Sequence, residues 1–203
     1  MNISTKMNPE LRLLKSEIIR LCSYPRFIHH QWFVKYHLEI VERIVNEACQ
    51  FYPKADQELL QGLIWMHDYA KIVDFEKKDD FTVFEKAIPM LTSFGFTTDY
   101  ISRQMKALSQ IENKLKEDIN KAPLEVKILS SADGASHFFG PFFEIYFAEN
   151  SSLPIEELML SNLKKIDKDV TRKIVIPEIM KAVQTRIKFL KEQNGILPKR
   201  YLS

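Results

Sequence analysis

The chain of 203 residues has two cysteines, five glycines and no apolar run near the length of a bilayer span. Cys22 and Cys49 lie far apart in helical patterns, which fits buried thiols in a reducing compartment better than a disulfide framework. Charge of one sign is missing too: 29 basic residues face 27 acidic ones, a formal net charge of +2. That balance gives no basic footprint for a nucleic acid, and it argues against a long polyanion as substrate. The first twenty residues alternate charged with apolar side chains and lack the uninterrupted apolar region of a signal peptide. The expectation is a soluble cytoplasmic protein with neither membrane nor nucleic acid as partner.

What is present is apolar spacing of helical period almost throughout. At 45% hydrophobic, the chain is long enough for one sizeable core and short for two, so the reading is an all-α fold in a single domain, 1–203. Amphipathic segments are expected over Leu11 to Leu21 and from about Trp32 to Phe51. A further one follows Asp56, an N-cap residue, and runs without a break through LLQGLIWMHDYAKI. Asp74 to Asp80 reads as a loop, and Phe84 to Phe94 as a helix stopped by Gly95. Another helix opens at Thr98 or Asp99. Pro123 sits in the first turn of a segment carrying Leu124 to Ala135, and Gly140-Pro141 breaks it from FFEIYFA. C-terminal helices are expected over 154–194, the last kinked at Pro177 or starting later than its pattern, and ended by Asn194-Gly195.

Polar groups interrupt the apolar stripes at a few places. His37, Val41, Ile44 and Ala48 recur at i, i+4, i+7 and i+11, which turns the imidazole inward. Leu60, Leu63 and Ile64 put His67 on a buried face, with Asp68 about 100° further round the same helix. Val126 and Leu129 do the same for Asp133. A buried carboxylate must be paired, protonated or metal-bound, so each residue alone reads as a satisfied core polar group. Together, two imidazoles and two carboxylates on three helices read as one metal site.

The ordered set His37, His67-Asp68, Asp133 resembles the HD-domain superfamily of metal-dependent phosphohydrolases. WMHDYAKI is similar to the family's HD helix, with Lys71 three positions after the pair, and LEVKILSSADGASHF is similar to the helix carrying the last ligand. The resemblance covers about 28–140. It implies a helical fold in which His37, His67, Asp68 and Asp133 hold one divalent ion, of manganese, cobalt, nickel, iron or magnesium. The ion would polarise a phosphoryl oxygen and acidify a water for phosphoester or phosphoanhydride hydrolysis. Asp68 would add orientation of the attacking water to its ligand role, and Lys71 would meet a phosphate. The implied substrate is a small phosphorylated molecule, with a nucleotide first among classes.

Departures narrow the resemblance. No histidine lies between His67 and His137, which favours one metal over two and disfavours the two-iron oxygenase branch. Tyr69-Ala70-Lys71 lacks the acidic pair of alarmone hydrolases, no GYP signature accompanies Asp133, and Ser109 stands where many relatives carry a histidine. His137 and Arg26 are further candidates for substrate contact. The aromatic run Phe138, Phe139, Phe142, Phe143, Tyr146 and Phe147 reads as core, subunit interface of a homodimer, or a base-stacking wall. Lys164, Lys165, Lys168, Arg172 and Lys173 cluster enough to suggest an anion-attracting face, but such a run usually reads as a solvated surface, and here Asp167 and Asp169 dilute it. The alternative function is a non-catalytic metal-binding or regulatory helical protein that keeps the site; a buried hydrogen-bond network without metal is the structural alternative.

Overall fold

The computed structural model describes residues 7–112 and 118–200. All regular structure among them is helical, as the apolar spacing predicts: α1 (Pro9–Cys22), α2 (Glu39–Phe51), α3 (Gln57–Met66), α4 (Tyr69–Val73), α5 (Thr82–Glu85), α6 (Ile88–Ser93), α7 (Thr98–Glu112), α8 (Leu124–Phe139), α9 (Phe142–Glu149), α10 (Ile155–Arg172) and α11 (Pro177–Gln193). Local chemistry sets several boundaries. Asn8 and Asp56 cap α1 and α3 by accepting from Leu11 N and Leu59 N. Gly95 and Gly195, at φ +97° and +95°, close α6 and α11 in the left-handed conformation that side chains disfavour. Pro177 begins α11 instead of kinking a longer helix, because proline suits a first turn, where its missing N–H costs nothing.

Three elements differ from the sequence expectation. A π-helical turn, Val34–Leu38, leads into α2, and Glu39 N–H reaches Val34 O, five residues back. The expected helix through the HD pair breaks in two, with His67 ending α3 and Asp68 standing between the helices at φ −111°, ψ 16°. The Phe84 to Phe94 segment likewise divides into α5 and α6.

One hydrophobic cluster joins residues from α1 to α11. Its axis is α8, whose residues 128–138 are all buried. Ser130, Ser131, Ala132, Gly134, Ala135 and Ser136 make most of this helix narrow, so that α2, α3, α7, α10 and α11 can all approach it. At Gly134 the approach is tight: a Cβ there would lie 3.0 Å from Lys173 Cβ and from Ile174 Cγ1. Phe138 and Phe143 of the aromatic run are core, while Phe139, Phe142, Tyr146 and Phe147 are half-buried. No helix among the described residues is long and apolar enough to cross a membrane.

Candidate metal centre

The π-turn, the α3–α4 break and the middle of α8 bring the four expected ligands together. His37, His67, Asp68 and Asp133 are 3%, 2%, 5% and 4% exposed, so each needs a partner. His37 Nε2 lies 3.2 Å from His67 Nε2 and 3.0 Å from Asp68 Oδ2, and His67 Nε2 lies 3.3 Å from the same oxygen. His37, His67 and Asp133 each offer a ligand atom within 4.8 Å of the others, a buried cluster able to hold a metal ion.

The donor set fits such an ion in tautomer as well as in spacing. His67 Nδ1 donates to Ile64 O at 2.8 Å, since a carbonyl can only accept, and this leaves the Nε2 lone pair facing the centre. Ser136 Oγ spends its proton on Asp133 O at 2.7 Å and so accepts from His37 Nδ1 at 2.9 Å. His37 Nε2 is thereby also left as a bare lone pair. Two lone pairs facing each other at 3.2 Å repel unless a cation lies between them. Ligands at about 2.1 Å from one ion stand about 3.0 Å apart when adjacent in an octahedron, close to the edges of this triangle.

Around the candidate ligands lies a second set of charges, whose inward orientation the sequence did not reveal. Lys71 Nζ donates to Asp68 Oδ1. Lys173 Nζ donates to Asp133 Oδ2 at 2.8 Å and stands 3.4 Å from Asp169 Oδ1. Lys165 Nζ donates to that same Asp169 oxygen at 2.9 Å, and His137 Nδ1 meets Asp169 Oδ2 at 2.8 Å. Asp169 is fully buried, so the face read as solvated turns inward at three positions. A signal was available: Leu158, Asn162, Ile166, Asp169 and Lys173 form one stripe at i, i+4, i+8, i+11 and i+15, and all five are buried. Lys173 is fixed by backbone as well as charge. Ser130 Oγ donates to Lys173 O at 3.2 Å, and Ser131 Oγ accepts from Val175 N and Ile176 N at 2.9 and 3.1 Å.

The electrostatics follow. Burial pushes the Asp68 carboxyl up, but Lys71 and His67 outweigh it and hold the group well below its ordinary value. Burial lowers His37; for His67 burial is overcome by Asp68, and proton affinity rises. Without metal, a proton on this pair would serve as the cation the facing lone pairs demand. Burial, with Lys165 next, depresses His137 to about 3, and burial with Lys173 lowers Lys165 to about 7. Lys173 is raised because Asp133 and Asp169 outweigh burial.

Comparison with protein-family models, with characterised proteins and with solved structures found no match. The site therefore speaks through its own geometry. Of the remaining candidates, His137 stacks on His37 with ring centroids 5.5 Å apart and lies 4.2 Å from the Phe142 ring. Arg26 is exposed, its guanidinium over the Tyr24 ring at 5.3 Å, in a surface depression with Arg20, Leu21 and Pro25. Ser109 is half-buried on α7.

Proposed function

We propose that this protein is a metal-dependent phosphohydrolase that cleaves a phosphoester or phosphoanhydride of a small molecule, a nucleotide being the preferred class. One observation carries the reading: two imidazole nitrogens with fixed tautomers and one aspartate oxygen, all from buried side chains, form a triangle of 3.0–3.3 Å edges. Asp133, across from them, completes a nitrogen and oxygen donor set that suits manganese, cobalt, nickel, iron or magnesium. When bound, a divalent ion supplies Lewis-acid polarisation of a phosphoryl oxygen and lowers the pKa of its water towards neutrality.

The chain's own residues do the rest. Asp68 directs one oxygen at the imidazoles and the other at Lys71. Its depressed proton affinity makes it an acceptor that orients the attacking water, not a base that carries the proton away. Lys71, half-exposed at the rim, is placed to receive a phosphate oxygen. In the overall reaction water's oxygen bonds to phosphorus, the P–O bond to the leaving group breaks, and that group departs with a proton. Support for a nucleotide comes from the rings that lead outward from His137: Phe142, then Trp32 at 6.1 Å, then His29 at 4.9 Å from Trp32, faces on which a base can stack.

A second reading has its own observation. Lys173 already gives Asp133 a positive partner, so the same side chains can close as a network that binds metal for regulation, or binds none, without turnover. Elemental mass spectrometry of wild type beside His67→Ala and Asp68→Ala separates the two. About one transition metal per chain, lost in both variants, followed by phosphate release from a nucleotide panel, is the expected outcome. A chain that carries no metal and takes up none on titration with manganese, cobalt, nickel or magnesium is not a hydrolase of this kind.

A further inference from the structure

With neutral imidazoles, the carboxylates and ammoniums around the centre balance one another. Asp68 pairs with Lys71, while Lys165, Asp169, Lys173 and Asp133 form one chain of ion pairs, and the two sets meet around His37 and His67. A buried cluster of this kind is stable when its net charge is near zero. Adding a divalent ion between neutral imidazoles leaves about two surplus positive charges in the same small volume. Lys165 lies close to half protonation near neutral pH, which reduces the surplus only slightly. The surplus must be met by an anion, and a terminal phosphate carries about −1.5 to −2 at pH 7. An internal phosphodiester carries a single negative charge and leaves the site unbalanced.

The lysines also have the geometry to receive that anion. A lysine ammonium has three donors, and the contacts of Lys165 and Lys173 leave capacity on each. Lys173 stands on the Asp133 side of the centre and Lys71 on the Asp68 side. Lys165, with 27% of its side chain exposed, lies 5.5 Å over the Phe142 ring, where the aromatic path to the surface begins. Were Asp133 to hold an ion, its share in the bond from Lys173 would weaken, and the ammonium would have more to give to a second acceptor.

From this we infer that Lys165 of α10 and Lys173, the residue that caps its C-terminus, form a phosphate subsite beside the metal ligands, which selects a phosphomonoester with a dianionic terminal phosphate over an internal phosphodiester. The inference rests on the metal-dependent reading above and deepens it. Both lysines lie outside the ligand set, so they can be changed while every expected ligand is kept.

The test is calorimetry on the full chain in two steps, first cobalt(II) alone, then inorganic phosphate or dimethyl phosphate added to the metal-loaded protein. Wild type, Lys165→Gln and Lys173→Gln should all take up the metal. Wild type should bind phosphate at least about tenfold more tightly than dimethyl phosphate, and each variant should lose about tenfold or more in phosphate affinity, the scale of one charge-assisted hydrogen bond. Should Lys173→Gln not fold, Lys165→Gln decides alone, because its side chain reaches solvent. Phosphate affinity unchanged in the folded variants, or equal affinity for the two anions in wild type, overturns the subsite and leaves the metal reading standing. Absence of metal uptake by wild type in the first step overturns both.

Discussion

His137 makes the residue-scale point that a buried histidine need not be charged to be held. Its Nδ1 donates to the Asp169 carboxylate, yet burial and the nearby Lys165 ammonium keep the ring neutral down to about pH 3. In the unfolded chain the same imidazole protonates near pH 6.5. Between those values the unfolded state binds a proton that the folded state refuses, so stability falls on acidification from about pH 6.5 and is unaffected above it. The slope from this residue is at most about 1.4 kcal/mol per pH unit. Urea unfolding of chelator-treated protein between about pH 5 and 7 should therefore show a steeper loss in wild type than in His137→Gln. Parallel slopes would mean that the folded protein protonates His137 readily. The sequence revealed the candidate ligands better than their supports. His37, His67, Asp68 and Asp133 stood out because polar groups interrupted apolar stripes, whereas Ser136, which fixes the His37 tautomer, is a small residue that no pattern marks. Lys165, Asp169 and Lys173 were hidden by their neighbours, since Lys164, Asp167, Lys168 and Arg172 made the whole stretch look solvated.

Helix existence followed from apolar period, but helix interruption followed from chemistry that period does not encode. LLQGLIWMHDYAKI carries one continuous helical pattern, and it breaks where Asp68 must serve two imidazoles and Lys71 at once, in a backbone region often adopted at active sites. The π-turn around His37 is similarly silent in sequence, because a five-residue hydrogen-bond step leaves no compositional trace. Gly62 shows the opposite case, a residue whose type is dictated by a neighbouring element. It lies on α3 where α7 crosses, and a Cβ there would stand 2.1 Å from Tyr100 Oη, 3.2 Å from Tyr100 Cζ and 2.8 Å from Gln104 Nε2. Tyr100 and Gln104 are both buried, so neither can swing into solvent. Gly62→Ala gains up to about 1 kcal/mol of helix propensity but must separate the helices. A net loss of about 1–3 kcal/mol in urea unfolding is expected, partly recovered by Tyr100→Phe in the same chain. A neutral or stabilising Gly62→Ala would show that α3 and α7 can part without cost.

At the scale of the molecule, the centre is a junction: His37 comes from the turn leading into α2, His67 and Asp68 from the α3–α4 break, Asp133 from α8, and Lys165, Asp169 and Lys173 from α10 and its C-terminal cap. Residues so far apart in sequence meet only in the folded chain, so an ion that binds them binds the native state and not the unfolded one. Its binding free energy then adds to folding free energy. At a metal concentration about one hundred times the dissociation constant the gain is about 2.7 kcal/mol. For a chain of 203 residues each kcal/mol moves the melting temperature by roughly 2–4 °C, so saturating metal should raise it by roughly 5–10 °C over protein in chelator. His67→Ala should melt at one temperature in both conditions, because the triangle of donors has lost a corner. A rise of equal size in wild type and variant would locate the ion elsewhere on the surface, and the junction would then be held by its lysines and aspartates alone.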